Sequence, residues 1–133
     1  MKKSWNEKLN SDKSYLLKVL DKDFSDMKEG QIMLIATPKI IDKYIKKIPK
    51  GKKVNLKKVR KDLAMEYNAD TTCPITTGIF LRIVAEAAYE DFLHKKTDIT
   101  PFWRVIDSDS KTASKLACGI NFIKNQRIKE GFI

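Results

Sequence analysis

The chain of 133 residues contains two cysteines and one histidine, the side chains that most often supply a reactive thiolate or the nitrogen and sulfur ligands of zinc. Neither Cys73 nor Cys118 has a second Cys or His at the spacing of a metal site, and His94 lies in the polar run HKKTD. The sequence therefore predicts neither a metal site nor a disulfide framework, and we expect no cofactor.

Three bulky side chains stand together in the stretch TPFWRVIDSD, residues 100–109: Phe102, Trp103 and Arg104. A buried strand could hold the two aromatic residues, but an arginine beside them must reach water or an anion. This combination predicts the edge of a binding site.

Positive charge is concentrated in one part of the chain. The formal net charge is +10, and residues 43–62, which we name the basic segment, hold ten of the 27 lysines and arginines but only one acid, Asp62. The other 113 residues carry 17 basic and 16 acidic side chains and are almost neutral. Such a local field is typical of a protein that binds a polyanion. The alternative is a solvated, lysine-rich face.

The length predicts one domain. No run approaches the ~18 apolar residues of a membrane span, and the N-terminal stretch MKKSWNEKLN lacks the apolar core of a signal peptide. We therefore expect a soluble, cytoplasmic protein with no membrane partner. We also expect a monomer.

The N-terminal residues 1–36 are expected to form a helix and a short strand packed on a main domain of residues 37–133. Ser11 is a typical N-cap, and apolar residues follow it at helical spacing. These residues are Leu16, Leu17, Leu20 and Phe24. The run QIMLIA, residues 31–36, predicts a buried strand.

The main domain is predicted to contain four helices and a short strand. Thr37 and Pro38 begin the first helix, which ends at Pro49 and Gly51, and the second runs from about Leu56 to Tyr67 with its basic residues facing outward. Those basic residues are Lys57, Lys58, Arg60 and Lys61. A third helix begins at Thr76 or Thr77, with a predicted buried stripe of Ile79, Phe80, Ile83, Val84, Ala87 and Phe92.

After these helices, Val105 and Ile106 are predicted to form a strand. A final helix of about residues 112–130 would bury Leu116, Ile120, Phe122 and Ile123. Helices joined by a turn and followed by an extended stretch predict a mainly α protein with a small β component. Its fold class would be a winged helix-turn-helix-like single domain, a module that places its second helix in a DNA groove.

Four motifs occur in the order found in one family. They are IPKGKKVNLKKVR (48–60), LRIVAEA (81–87), PFWRVI (101–106) and IKEGF (128–132). Over residues 38–131 the chain resembles the DNA-binding domain of the alkylguanine-DNA alkyltransferases and their non-enzymatic relatives, the alkyltransferase-like proteins. The resemblance implies a DNA-repair protein that binds DNA, most simply double-stranded, with alkylated guanine as the candidate lesion and a repair protein as a further partner.

The same resemblance places Phe102 on the family's nucleophilic cysteine, Trp103 on its histidine and Glu130 on the acid that supports the pair. A phenyl ring and an indole cannot supply a thiolate or its base, which implies that the protein is not a transferase. Phe102 and Trp103 would form or fill the base pocket. Glu130, without partners to activate, is expected to close the last helical turn.

Arg82 falls on the family arginine that enters the DNA stack in place of an everted nucleotide. The alternative is a surface ion pair with Glu86, which we expect to lie off the buried stripe as Arg82 does. The resemblance further implies that Lys52, Lys53, Lys57 and Lys58 contact the DNA backbone. Arg104 would contact DNA or brace its motif.

The chain departs from the family pattern at several positions. Leu56 replaces a phosphate-binding tyrosine, while Phe80 and Leu81 replace small residues of the helix that enters the groove. About a dozen residues are additional between Val59 and Arg82. Acidic residues near the end of the third helix imply that only its N-terminal half approaches DNA. They are Glu86, Glu90 and Asp91.

Three further functions are compatible with the sequence. The chain could be a protein-interaction adaptor whose lysines face solvent, or a general nucleic-acid-binding module with a filled former active site. It could also be an enzyme that acts through Cys73 or Cys118.

Overall fold

A three-stranded sheet is formed by β1 (Leu16–Val19), β2 (Ile32–Ile35) and β3 (Thr71–Thr72). The computed structural model describes residues 3–132. β1 pairs with β2 in antiparallel orientation, and β2 pairs with β3 in parallel orientation. The prediction of a strand in QIMLIA is confirmed. The predicted helix over residues 11–24 is wrong, because the backbone of Leu16–Val19 pairs with β2. The spacing of the apolar residues in this stretch is compatible with a helix and with a strand.

Between residues 3 and 132, six α-helices surround the main core. They are α1 (Trp5–Leu9), α2 (Pro38–Lys46), α3 (Leu56–Glu66), α4 (Pro74–Leu93), α5 (Lys111–Lys115) and α6 (Gly119–Lys129). A short 3₁₀ helix, Phe102–Arg104, connects α4 with α5. Helix accounts for 49% and strand for 9% of the structure. The predicted fold class, a mainly α single domain with a small β component, is confirmed.

Local sequence signals, two caps and a proline, explain where three of the helices begin. The Thr37 hydroxyl accepts a hydrogen bond from the Ile40 N–H at 3.2 Å, and the Asn55 side chain accepts one from the Lys58 N–H at 2.8 Å. α4 begins at Pro74 rather than at Thr76 or Thr77, because proline is favoured in the first helical turn. Thr77 is already inside that helix.

The buried side of α4 differs from the predicted stripe. Ile79 and Phe92 are exposed, and Phe80 and Ile83 are only half-buried. α4 packs against both α1 and α2, so two of its sides are covered and its apolar periodicity does not identify one core face. The fully covered positions are Thr77, Leu81, Val84, Ala85, Glu86, Ala87 and Ala88.

The region after α4 also differs from its prediction. Val105 and Ile106 are buried but follow the 3₁₀ helix and form no strand. The predicted single C-terminal helix is divided into α5 and α6, because Gly119 has a φ of +80°, which a continuous right-handed helix does not allow. Leu116 and Ile123 are buried as predicted, whereas Phe122 is half-buried and Ile120 is exposed.

The apolar interior consists of two clusters. The main core joins α2, α3, α4, the 3₁₀ helix and α6, whereas a small cluster lies under the β1–β2 hairpin. The small cluster contains Leu20, Met27, Met33 and Cys73. Within residues 3–132, no helix is both long and apolar enough to cross a membrane.

Candidate nucleic-acid interface

The nine lysines of the basic segment, including Lys52, Lys53, Lys57 and Lys58, are all exposed on α2, on α3 and on residues 47–55 between them, which we name the basic loop. Two of the nine form ion pairs, Lys46 with Asp42 at 3.1 Å and Lys58 with Asp62 at 3.2 Å. In the described part of the chain, the other seven have no carboxylate oxygen within 4 Å. They are Lys43, Lys47, Lys50, Lys52, Lys53, Lys57 and Lys61.

Arg60, predicted to face outward with these lysines, is directed inward instead. Its side chain is 12% exposed and forms a bidentate pair with Asp26, at 3.0 and 2.8 Å, while its Nε donates to the Thr72 carbonyl at 2.8 Å. These hydrogen bonds hold the pKa of Asp26 below its usual range. Arg60 points inward because only the forked guanidinium of an arginine can donate to β3 and to Asp26 at the same time.

Glu130 is the centre of a buried hydrogen-bond network, which we name the Glu130 network. One carboxylate oxygen accepts from Trp103 Nε1 at 2.7 Å and Arg104 Nη2 at 2.9 Å, and the other accepts from Arg104 Nε at 2.9 Å and the Gly51 N–H at 3.0 Å. The Glu130 side chain is only 6% exposed. Glu130 is the C-cap of α6, so the expectation that it closes the last turn is confirmed, and its carboxylate in addition accepts from these partners.

The electrostatics of Glu130 follow from these partners. Burial by itself raises the pKa of a carboxyl group, but the hydrogen bonds from Arg104, Gly51 and Trp103 outweigh burial. The pKa of Glu130 is therefore below its ordinary value of 4.5. The group is charged at neutral pH.

The Glu130 network fixes the basic loop. Arg104 donates from Nη1 to the Ile48 carbonyl at 2.7 Å and accepts, through its own carbonyl, from the Val54 N–H at 2.8 Å. Gly51 has a φ of +82°, a conformation that side chains rarely adopt, and a Cβ there would lie 3.3 Å from the Glu130 carbonyl. Arg104 is thus a brace inside the protein, 14% exposed, with its donors directed to protein acceptors.

Phe102 fills the interior instead of presenting a face to a ligand. It is fully buried, and its ring stacks on Phe122 with 6.0 Å between centroids while meeting Trp103 edge-on at 5.3 Å. Of the two sequence alternatives, forming or filling a pocket, Phe102 therefore fills one.

Trp103 lies at the border of an open cleft of about 880 Å³, which we name the Trp103 cleft. Its other walls come from α2, from the 94–101 connection and from α6, and Lys46, Lys95 and Lys96 contribute cations. Phe92 and Ile99 provide apolar surface there. The cleft is large enough for a nucleobase.

Arg82 lies beside a buried acid rather than a surface acid. Its Nε is 3.6 Å from the carboxylate of Glu86, which is 4% exposed, and its guanidinium lies 5.4 Å from the Trp5 ring. Glu86 also accepts a hydrogen bond from the Ala117 N–H at 3.2 Å. The expectation that Glu86 lies off the buried side is wrong, although Arg82 itself remains 41% exposed.

The position of Glu86 predicts the stability of Arg82 variants. Arg82→Ala should lower the free energy of unfolding by about 1 to 3 kcal/mol, because a buried carboxylate loses its cation. Chemical denaturation measures this loss. Adding Glu86→Gln should restore most of the stability, since the amide oxygen still accepts from Ala117. An unchanged midpoint for Arg82→Ala would contradict the pairing.

The N-terminal half of α4 presents one exposed side. Ile75 and Ile79 are 56% and 54% exposed and lie on the same side as Gly78 and Arg82. They border a groove of about 480 Å³, the α4 groove, which also contains Trp5. Two further cations lie around it, Lys8 and Lys115.

Phe80 and Leu81 do not belong to this exposed side. Leu81 is buried and Phe80 packs against the main core, so neither obstructs the approach of a ligand to α4. The C-terminal half of α4 is covered by α1, because Glu90 accepts hydrogen bonds from the Trp5 and Asn6 N–H groups, both at 3.0 Å. The acids that would repel phosphate, Glu86, Glu90 and Asp91, therefore each have a hydrogen-bond partner within the protein.

The two cysteines lie apart from these surfaces. Cys73 is buried and precedes α4, whereas Cys118 is half-buried before α6. Burial, and the nearby charge of Glu86, raise the pKa of the Cys118 thiol to about 11. Little thiolate is present at neutral pH. Among residues 3–132, no group of three or more His, Cys, Asp or Glu side chains could hold a metal ion.

Comparisons of the chain with protein-family models, with curated proteins and with solved structures found no match. The alkyltransferase resemblance therefore stays a prediction from the four motifs.

Sequence reasoning missed the exposed side of α4 and the partners of Glu130. The exposed side of α4 could have been found from Pro74, because proline is favoured in the first helical turn and so indicates that the helix begins before Thr76. The second joins residues 27 positions apart and depends on how α6 packs.

Proposed function

We propose that the protein is a non-enzymatic DNA-binding protein of the alkyltransferase-like kind, which binds double-stranded DNA. One observation carries the proposal: seven exposed lysines that have no acidic partner among residues 3–132 lie on α2, the basic loop and α3. Phosphate contacts by such lysines release counterions, which favours binding to a polyanion. Lys52, Lys53, Lys57 and Lys58 belong to this surface, although Lys58 must share its charge with Asp62.

The rigid attachment of the basic loop supports this function. Gly51, Ile48 and Val54 are all hydrogen-bonded to the Glu130 network. A loop that is already ordered loses less conformational entropy when it binds, so its lysines contact phosphates at a lower cost. Arg104 acts in binding through this loop, as a positioning residue.

The exposed side of α4 supplies the second part of the proposal. Arg82 would probe the base stack, and Ile75 and Ile79 would provide apolar contact in the groove. Trp103 would form one wall of a pocket for an extruded base, in the Trp103 cleft, while Phe102 stays in the core. The hydrogen bond from Trp103 to Glu130 supports the resemblance, because it pairs the positions that the family gives to histidine and its acid.

A titration separates DNA binding from its alternatives. The protein is mixed with a methylguanine-containing duplex and with the unmodified duplex, each at 50 and 200 mM salt, and fluorescence anisotropy reports affinity. We expect binding that weakens steeply with salt and is tighter for the modified duplex. Equal affinity for the two duplexes would support a general nucleic-acid-binding module. No binding at low salt would favour the protein-interaction adaptor, for which the α4 groove is the candidate surface.

The protein is expected to be chemically inert toward alkylated DNA, because Phe102 and Trp103 occupy the nucleophile and base positions and the Cys118 thiol is protonated. Intact-mass spectrometry after incubation with methylguanine-containing DNA should give the unmodified mass. A gain of one methyl group on Cys73 or Cys118 would instead establish an enzyme.

A further inference from the structure

β1 is an edge strand with an unusual number of exposed apolar side chains. It pairs with β2 on one side only, and Leu16, Leu17 and Val19 are 60%, 49% and 63% exposed. Tyr15, just before the strand, is exposed as well. An open edge with apolar side chains is a template for pairing with another strand.

The hydrogen bonds of β2 show which backbone groups of β1 are free. The Asp70 and Cys73 N–H groups donate to the carbonyls of Ile32 and Leu34, so these two β2 residues face β3. The alternate residues of β2, Met33 and Ile35, face β1, where they are opposite Lys18 and Leu16. The N–H and C=O groups of Leu17 and Val19 therefore point away from the sheet.

We propose that β1 pairs with β1 of a second copy of this chain, antiparallel, about a two-fold axis at Leu17. The two three-stranded sheets would then form one continuous sheet of six strands. The inference does not depend on DNA binding, and it replaces the expectation of a monomer.

The register of the proposed dimer follows from which backbone groups of β1 point outward and from the charged residues on both sides of the strand. With the axis at Leu17, the outward-facing groups of both Leu17 residues meet, and continuing the same register past the two ends of β1 brings Lys13 opposite Asp21 of the second copy. Asp12 then lies opposite Lys22 of the second copy. In their own copy, these four charged residues have no oppositely charged atom within 4 Å among residues 3–132. The dimer would give each of them a partner.

The neighbouring registers are less favourable. An axis at Lys18 places the two Lys18 side chains directly opposite each other, which is destabilising for like charges. An axis at Leu16 places Lys13 opposite Val19, and Asp12 opposite the buried Leu20. An axis at Val19 would also join free backbone groups, but it places Asp21 opposite Leu17 and Lys22 opposite Leu16. The axis at Leu17 therefore fits the free backbone groups and the charges together.

Sedimentation velocity of the full chain, from low micromolar to several hundred micromolar, tests the proposal. The native protein should form a dimer as concentration rises, and Leu17→Lys should weaken dimerisation by about tenfold or more, because two cations then meet at the axis. Leu93→Lys is the matched control. Leu93 is also an exposed leucine, but it lies at the end of α4, and its replacement should leave the dimer unchanged.

A charge exchange tests the register itself. Lys13→Glu should weaken the dimer severalfold, and the double variant Lys13→Glu/Asp21→Lys should regain the native affinity. Hydrogen exchange of the native protein offers a measurement without substitution, since the Leu17 and Val19 amides should become more protected as concentration rises. The proposal is wrong if the native chain is monomeric at every concentration, or if Leu17→Lys leaves the dimer affinity unchanged. Failure of the exchanged pair to restore affinity overturns the register.

Discussion

Glu130→Gln is expected to lower the free energy of unfolding by about 3 to 5 kcal/mol, the usual loss when one member of a buried ion pair is removed. The carboxylate accepts from Trp103, Arg104 and Gly51, and the amide group of glutamine would direct N–H donors at donors. Urea denaturation followed by circular dichroism measures the change. DNA affinity should fall as well, because the basic loop loses its attachment.

Glu66→Gln provides the matched control, since Glu66 is exposed at the end of α3 and accepts no side-chain hydrogen bond from residues 3–132. Its free energy of unfolding should change by less than about 0.5 kcal/mol. Equal stability of the two variants would show that the Glu130 network contributes nothing.

Lowering the pH should remove the stabilisation that the charged Glu130 carboxylate provides. The pKa of Glu130 is lower in the folded state than in the unfolded chain, so its stabilisation is complete above the unfolded value of about 4.5 and is lost as the pH falls through the folded pKa. Asp23, Asp26, Asp62 and Glu90 also have lowered pKa values. The difference between the native protein and Glu130→Gln therefore isolates Glu130: it should be largest near pH 7 and shrink toward pH 3.

Replacing Lys52, Lys53, Lys57 and Lys58 together with glutamine should reduce DNA affinity by about 100- to 1000-fold at 0.1 M salt, because fewer phosphates are neutralised and fewer counterions are released. The slope of log affinity against log salt should become shallower by about 0.9 for each phosphate that the variant no longer neutralises. Anisotropy titrations at several salt concentrations give both quantities. The reduction should be equal for modified and unmodified duplexes, since the phosphates carry no base information.

A quadruple variant of exposed lysines outside the basic segment has the same net charge and serves as the control. Its substitutions are Lys3→Gln, Lys28→Gln, Lys111→Gln and Lys129→Gln. If both variants lose affinity equally, binding responds to net charge and the basic segment is only a solvated face.

The sequence predicted best the elements whose ends have local signals. Thr37 with Pro38 defined α2, and the spacing of Leu56, Val59 and Leu63 defined α3, because caps and periodicity act within a few residues. It predicted β1 wrongly, since Leu16, Leu17 and Leu20 suit a helix or a strand and only pairing with β2 decides.

The residues of the candidate site likewise include some that the sequence predicts and some that it does not. The exposure of Lys52, Lys53 and Lys57 could be predicted, because a lysine is rarely buried. The inward direction of Arg60 and the burial of Glu86 could not, since each depends on a partner from another element, Asp26 in one case and Ala117 in the other. Charge density is a property of the sequence, whereas the direction of a charged side chain is a property of packing.

The position of Phe102 between Phe122 and Trp103 limits how a reactive group could be engineered into this protein. A thiol introduced by Phe102→Cys would lie in the interior, where no solvent reaches residue 102. The smaller side chain would also leave a cavity behind these rings instead of an opening in front of them. Reagents and substrates would meet the thiol only after the rings had moved, so several neighbouring residues would have to change together.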